Sequence, residues 1–161
     1  MRSIDRHLQE QGAAGEAQFR DWLDASRLPY IYVDQTQETV PEHFRSTMKR
    51  PDFLVALPFV GAIAFDTKVK TVYGPTANPY FVFDVAEIRR LAVFDRLFRV
   101  TTFLACQVAG DSAQSTWFQV EDIMLAVGRR RRGTVQVHLG DGLDTRMSRP
   151  FQEALRDLLV I

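Results

Sequence analysis

Cysteine is nearly absent from this sequence of 161 residues, which contains one, Cys106. A single cysteine excludes a disulfide within the chain and a zinc site built from several cysteines. Cys106 lies inside the apolar run TTFLACQV, so we expect it to be a buried strand residue, as free thiols usually are. The histidines His7, His43 and His138 are scattered without metal-ligand spacing, and no G-x-S-x-G nucleophile pattern occurs.

The sequence also lacks an excess of charge of either sign and a long apolar run. Twenty basic residues balance twenty acidic ones, so a nucleic-acid-binding surface can come only from local clusters. No apolar run approaches the roughly 20 residues that a membrane-spanning helix needs, and the polar N-terminus has no signal-peptide core. The length and the 46% hydrophobic content fit one globular domain over residues 1–161. We therefore expect a soluble, cytoplasmic, single-domain protein.

Hydrophobic periodicity and turn residues predict an α/β fold, a mixed β-sheet flanked by helices. The predicted order of elements is α-β-β-β-β-α-β-β-α-β-α. Asp84 is the expected N-cap of the second helix, and Glu87 completes a capping box there. Two segments are predicted turns, residues 110–115 and the GDGLD segment. The predicted helices cover residues 3–23, 84–98, 121–127 and 149–161, and the predicted strands cover 30–33, 53–57, 62–69, 80–83, 101–108, 117–120 and 135–139.

Charged residues flank two neighbouring strands in the stretch RPDFLVALPFVGAIAFDTKVK. Because side chains alternate across a strand, Asp66, Lys68 and Lys70 share one face. Asp52 opens the preceding strand, and a hairpin about the turn at residues 58–61 would bring it near Asp66. Two carboxylates about 4 Å apart repel by about 4 kcal/mol at an effective dielectric constant of ~20, so the pair needs a shared proton or a cation. Oxygen ligands favour Mg²⁺ or Mn²⁺ over zinc, whereas the alternative is a solvated sheet edge.

Pro51-Asp52, thirteen further residues and Asp66-Thr67-Lys68 together resemble the core motif of the PD-(D/E)XK nuclease superfamily. The segment GAAGEAQF, which contains Glu16, is similar to the acid-bearing helix that precedes this core in the family. A strand, a helix, a strand and a Trp-starting strand follow the core, as in archaeal-type Holliday-junction resolvases and their relatives. The likeness covers about residues 8–125, and residues 126–161 match no motif.

The resemblance implies a restriction-endonuclease-like mixed β-sheet flanked by helices and a Mg²⁺- or Mn²⁺-dependent endonuclease that hydrolyses DNA. It implies that Asp52, Asp66 and the Thr67 carbonyl bind the first ion, and that Glu16 binds a second ion or a water of the first. Lys68 would position the attacking water. Asp66 departs from the commoner glutamate, which would place the metal closer to the strand. Since the relatives act as homodimers, DNA and a second copy of the chain are the implied partners.

Basic residues outside the motif are candidate contacts to DNA phosphates. Lys70 is a fallback lysine on the face of Lys68, and Arg50 lies just before Asp52 with Arg45 and Lys49 nearby. The alternative for each of these residues is an ordinary charged side chain in solvent that does not contact DNA. The same choice holds for a run of four arginines, Arg129, Arg130, Arg131 and Arg132.

Two other functions stay open at this stage. One is a non-catalytic nucleic-acid-binding or assembly domain that retains the nuclease fold, does not bind metal and tolerates Asp66→Ala. The other is a protein-binding module in which the acids coincide by chance. Metal-dependent cleavage of DNA, and its loss on substitution of Asp66 or Lys68, separates the enzyme from both.

Overall fold

The computed structural model describes residues 2–59 and 61–159. None of the helices in these ranges is both long and apolar enough to cross a bilayer. The helices are α1 (Arg2–Ala25), α2 (Val85–Phe98), α3 (Val120–Val127) and α4 (Phe151–Leu159). The strands are β1 (Tyr30–Tyr32), β2 (Phe53–Leu57), β3 (Gly61–Lys70), β4 (Tyr80–Asp84), β5 (Thr102–Val108), β6 (Asp111–Gln119), β7 (Thr134–His138) and β8 (Leu143–Arg146). Short 3₁₀ turns cover Gln37–Thr39, Glu42–Phe44 and Leu139–Asp141.

The main sheet has six strands in the order β1-β2-β3-β5-β6-β8. β3 and β5 run parallel, and the other neighbouring strands run antiparallel. The predicted mixed sheet and the predicted hairpin of β2 and β3 are thereby confirmed. β4 lies outside the main sheet, because it pairs with β7 in a separate two-stranded sheet.

The prediction of a turn at residues 110–115 is wrong. β6 begins at Asp111, and the chain reverses between β5 and β6 at Gly110, whose φ of +86° suits glycine. The segment is polar but lies between β5 and β8, so Ser115 and Thr116 are buried in the sheet. The GDGLD segment is likewise only partly a turn, because β8 begins at Leu143. Residues 160–161 of the predicted last helix lie outside the described residues.

One face of the sheet is covered by α1 and α4, which enclose an aromatic cluster. Phe19 and Trp22 of α1 meet Phe65 of β3, Trp117 of β6 and Phe151 of α4 with ring centroids 4.6–5.8 Å apart. Phe19 and Phe151 are completely buried. The C-terminal segment, which matches no sequence motif, therefore closes the core beneath α1.

The opposite face is covered by α2, α3 and the β4–β7 pair. Cys106 of β5 lies in this second core, which confirms its predicted burial and raises the pKa of its thiol to about 12. The long segment between β1 and β2 packs Val40 and Met48 against Ala64 and Phe94 on the same side. The backbone N–H of the next residue, Lys49, donates to a carbonyl of α2 at 3.0 Å. This segment and the start of α2 are thereby held over the end of β3.

Because Phe151 fills the centre of the aromatic cluster, Phe151→Ala should reduce the free energy of unfolding by about 3–5 kcal/mol. Leu159→Ala on the same helix is the matched control, since Leu159 is 62% exposed and should change stability by about 0.5 kcal/mol or less. Urea unfolding followed by tryptophan fluorescence measures both. Equal effects of the two substitutions would show that α4 does not close the core.

Candidate active site

The site lies at the start of β2, where the pairing of β2 with β3 stops and β3 continues alone on that side. β2 pairs with the first half of β3 up to the pair Phe53–Phe65, so Asp52 lies opposite Asp66 at the end of the ladder. Pro51 precedes it and has no N–H to offer β3. Instead, Asp52 Oδ2 accepts hydrogen bonds from the Thr67 backbone N–H at 2.7 Å and from the Thr67 hydroxyl at 2.8 Å. The Asp52 side chain thus extends the strand pairing by one step.

Asp66 is completely buried and faces α2, where two lysines and a glutamate surround it. Lys68 Nζ lies 2.7 Å from Asp66 Oδ2 and 2.8 Å from Glu87 Oε1. Lys49 Nζ lies 3.1 Å from Asp66 and 2.6 Å from Glu87 Oε1. The four side chains therefore alternate in charge around a closed cycle, which we call the ion-pair ring.

One carboxylate oxygen of Asp66 is left without a hydrogen bond. Lys49 Nζ is 3.1 Å from both oxygens, but only its approach to Oδ2 has hydrogen-bond geometry. Oδ1 is buried, and among residues 2–59 and 61–159 it has the ion-pair contact with Lys49 but accepts no hydrogen bond. A buried carboxylate oxygen without a hydrogen bond is costly, so Oδ1 is the oxygen of Asp66 that would gain most from a further cation.

Glu87 enters the ring from the first turn of α2. Asp84 caps this helix as predicted, by accepting the Glu87 backbone N–H at 2.8 Å. The predicted capping box is only half formed, because the Glu87 side chain binds Lys49 and Lys68. Burial alone would raise the pKa of Glu87, but the two ammonium groups lower it to about 2. Burial likewise opposes the charge of Lys68, and Asp66 and Glu87 outweigh it and raise the Lys68 pKa.

The pKa of Asp52 is shifted upward, opposite to the shift of Glu87. Burial raises its pKa, and so does the negative charge of Asp66, while the hydrogen bonds from Thr67 and the charge of Lys68 partly offset them. The net result is a pKa of about 6. The negative charge of Asp66 thus adds to the effect of burial, and a further positive charge nearby would favour the ionised form of Asp52.

Glu16 on α1 is paired with a tyrosine. The hydroxyl of Tyr32 on β1 donates a hydrogen bond to Glu16 Oε1. This bond, burial and the negative charges of Glu16 and Asp52 raise the pKa of Tyr32 to about 12. Among the described residues, Glu16 is not grouped with Asp52 and Asp66 closely enough for the three carboxylates to hold one metal ion.

The residues predicted to contact DNA have different partners within the protein. Arg50 donates to Thr39 Oγ1 at 2.8 Å and to the Thr36 carbonyl at 2.9 Å, so it pins the loop before β2. Lys70 donates to the Val82 carbonyl at 2.8 Å, and its ammonium lies 4.8 Å from the centre of the Phe83 ring. Burial lowers the pKa of Lys70.

The four consecutive arginines also differ, because one of them is bound within the described part of the protein and the other three are not. The Arg130 guanidinium donates to the carbonyls of Ala126, Val127 and Thr134, and so closes the C-terminal end of α3. Its three neighbours are exposed, and in the described structure they make no side-chain hydrogen bond or ion pair: Arg129, Arg131 and Arg132.

Sequence reasoning missed three residues of this site: Tyr32, Lys49 and Glu87. Lys49 was predicted to lie near the DNA entrance or in a solvated loop, but its side chain is 19% exposed and ion-paired with two acids of the site. Glu87 was assigned a helix-capping role alone. One sequence feature could have indicated Glu87: it is an acid in the first turn of α2, downstream of Lys68 and Lys70, which share one face of β3. No local pattern indicates Lys49 or Tyr32.

The acids do not form a ready-made metal cage. In the described ranges, no group of three or more histidine, cysteine, aspartate or glutamate side chains is placed to hold a metal ion. The donor chemistry nevertheless fits a hard cation, since Asp66 Oδ1 accepts no hydrogen bond from the described residues and a further positive charge would favour the ionised form of Asp52. The positive charge that Asp66 needs is supplied by Lys49 and Lys68.

The architecture is a restriction-endonuclease-like fold. The chain matches the structure of Hjc, a Holliday junction resolvase from the archaeal hyperthermophile Archaeoglobus fulgidus, with a TM-score of 0.56. The match covers 83% of this chain and 95% of that chain at 16% sequence identity. No protein-family model and no curated protein matches the chain. The recognition of this nuclease fold from the two motif segments is confirmed.

The raised pKa of Asp52 has a consequence for stability. A carboxyl whose pKa is raised by folding stabilises the fold fully below its ordinary pKa of 3.8, and this contribution is lost as the pH rises through about 6. Asp52→Asn removes the loss, so the variant should gain roughly 2–3 kcal/mol relative to the wild type between pH 4 and pH 7.5 without divalent metal. Denaturant unfolding in a chelator at the two pH values measures this gain.

The control for this prediction is Asp144→Asn, which changes an exposed acid on β8. Its stability difference from the wild type should hardly vary with pH. A gap between Asp52→Asn and the wild type that stays constant from pH 4 to pH 7.5 would contradict the coupling of the two buried carboxylates.

Proposed function

We propose that this chain is a divalent-metal-dependent nuclease that hydrolyses phosphodiester bonds of DNA. The observation that carries the proposal is the 2.7 Å ion pair between Lys68 and the buried Asp66, beside the hydrogen bonds from Thr67 to Asp52. These residues occupy the motif positions on the fold of a PD-(D/E)XK nuclease. The match to a Holliday junction resolvase supports the same class of chemistry.

The proposed metal ligands are Asp52, Asp66 and the carbonyl of Thr67, with Glu16 beside them. Carboxylate and carbonyl oxygens suit Mg²⁺ or Mn²⁺. When bound, such an ion stabilises the charge that develops on the phosphate and on the oxygens exchanged at phosphorus. Tyr32 would hold the Glu16 carboxylate toward the site by its hydrogen bond, and Thr67 would hold Asp52.

Lys68 would act through its positive charge. Because Asp66 and Glu87 raise its pKa, Lys68 is protonated at neutral pH in the metal-free protein, which favours a role as a hydrogen-bond donor over a role as a general base. Its ammonium can donate hydrogen bonds to the attacking water or to a phosphate oxygen. The position of Lys68 is set by two carboxylates on different elements, which reduces the freedom of its long side chain.

The charge of the site suits a divalent cation. The carboxylates of Asp52, Asp66 and Glu87 together exceed the ammonium groups of Lys49 and Lys68 by one negative charge when all are ionised. Glu16, the fourth acid of the proposed site, raises this excess to two negative charges, which one divalent cation would neutralise.

The proposed substrate is DNA, with branched DNA as the first form to examine because the matched structure is a Holliday junction resolvase. The exposed arginines near the end of α3 are proposed phosphate contacts: Arg129, Arg131 and Arg132. Cutting two strands symmetrically requires two sites, so we further propose that the active form is a homodimer.

A second candidate function is a non-catalytic DNA-binding or assembly domain with this fold. The ion-pair ring favours it, since Lys49 and Lys68 neutralise Asp66 without any metal. The described residues also hold no group of three side chains placed as metal ligands. Metal-dependent cleavage distinguishes the two functions directly.

We expect the purified chain to cleave branched, duplex or single-stranded DNA in Mg²⁺ or Mn²⁺ and to be inactive in a chelator. Asp66→Asn and Lys68→Met should each lower the cleavage rate by about 10²–10³-fold, because the first removes a charged ligand of the proposed cation and the second removes the ammonium that would contact the attacking water or the phosphate. Cleavage of end-labelled substrates under single-turnover conditions measures the rate. Thermal unfolding and circular dichroism show whether each variant is folded.

Asp122→Asn is the matched control, because Asp122 is an exposed acid on α3 outside the ring, and its cleavage rate should equal that of the wild type. If the wild type cleaves none of these substrates in either metal but binds DNA, the non-catalytic function replaces the nuclease. Full activity in a folded Asp66→Asn variant would remove Asp66 from the site.

A further inference from the structure

Two lysines neutralise Asp66, but different parts of the chain carry them. Lys68 lies on β3 itself, two residues from Asp66, and contacts Oδ2 at 2.7 Å. Lys49 lies in the segment before β2 and contacts the same carboxylate at 3.1 Å. For Lys49 the shorter contact, 2.6 Å, is with Glu87. Lys49 is therefore the lysine less tightly tied to Asp66.

The open oxygen of Asp66 lies on the same side as Lys49. Asp66 Oδ1 is 3.1 Å from Lys49 Nζ and accepts no hydrogen bond from the described residues. A cation that uses Oδ1 would come within a few ångströms of the Lys49 ammonium. Like charges at that range repel strongly in a partly buried site, so the cation and Lys49 compete for Asp66.

We propose that Lys49 is a placeholder counter-ion, which neutralises Asp66 until a divalent cation binds and then gives up that carboxylate while keeping Glu87. This inference rests on the proposed metal-dependent function. It gives the ring a role beyond stability, since a fully buried carboxylate needs a positive charge whether or not metal is present. Lys49 supplies that charge in the metal-free protein.

Glu87 makes the exchange feasible. Its Oε1 contacts both lysines, and Asp84 fixes the first turn of α2 that carries it. When a cation takes Asp66, Glu87 remains as an acceptor for the displaced Lys49 and continues to hold Lys68 beside the site. Without Glu87, both ammonium groups would have only Asp66 as an acidic partner in the ring, and the cation would meet greater competition.

The test measures Mn²⁺ affinity by isothermal titration calorimetry on the full chain without DNA, so it requires no cleavage. Lys49→Met removes the competitor and should tighten Mn²⁺ binding by about tenfold. Lys70→Met is the matched control. Lys70 is a half-buried lysine on the same strand face, but it contacts Val82 and Phe83 and not Asp66. Its removal reports the general effect of losing one nearby positive charge.

The inference is supported if Lys49→Met tightens Mn²⁺ binding well beyond Lys70→Met, or if only Lys49→Met binds Mn²⁺. It is overturned if the two variants change the affinity equally, and the proposed nuclease then stands or falls on its own cleavage assay. If neither the wild type nor Lys49→Met binds Mn²⁺, the placeholder role and the metal-dependent function both fail.

Two further variants keep the test decisive if Lys49→Met does not fold. Lys49→Gln retains a hydrogen-bond donor without the charge and should also tighten Mn²⁺ binding. Glu87→Gln removes the negative charge of the alternative partner of Lys49 and should weaken Mn²⁺ binding by about tenfold. A Glu87→Gln variant that binds Mn²⁺ as tightly as the wild type contradicts the exchange of Lys49 between the two acids.

Discussion

The burial of one carboxylate, that of Asp66, is the constraint around which this part of the molecule is arranged. A charge removed from water on a central strand is tolerated only if other charges and donors replace the water. Lys68 from the same strand cannot do this alone, and the structure adds Lys49 from one flanking segment and Glu87 from another. The loop before β2 and the first turn of α2 are thus fastened to the sheet by charge as well as by packing.

The Pro-Asp dipeptide has a structural role that explains its place at the start of β2. Pro51 stops the backbone ladder, and the Asp52 carboxylate takes the Thr67 N–H at 2.7 Å in place of a strand carbonyl. This arrangement leaves the last residues of β3 paired on one side only, with β5. It also sets the carboxylates of Asp52 and Asp66 opposite each other. The Pro-Asp dipeptide therefore both ends the strand pairing and brings a second negative charge to the site.

Sequence patterns were sufficient for the parts of this structure that depend on local chemistry. Alternation along β3 placed Asp66, Lys68 and Lys70 on one face, and the Asp84 cap marked the start of α2. Patterns failed where tertiary pairing outweighed composition, as in β6, whose polar residues Ser115 and Thr116 are buried between β5 and β8. They also failed for Lys49, because its partners are 17 and 38 positions away and no periodicity links them.

The parallel pairing of β3 with β5 controls when the site can exist. The chain must pass through β4 and α2 before Thr102 can align with Ala64, and closing that loop costs entropy before any contact repays it. Leu104 and Cys106 of β5 are completely buried and lie beside Asp66 and Lys68 in this pairing. A chain that ended before β5 would contain Asp52, Asp66 and Lys68 but would lack the buried neighbours that help to remove these side chains from water.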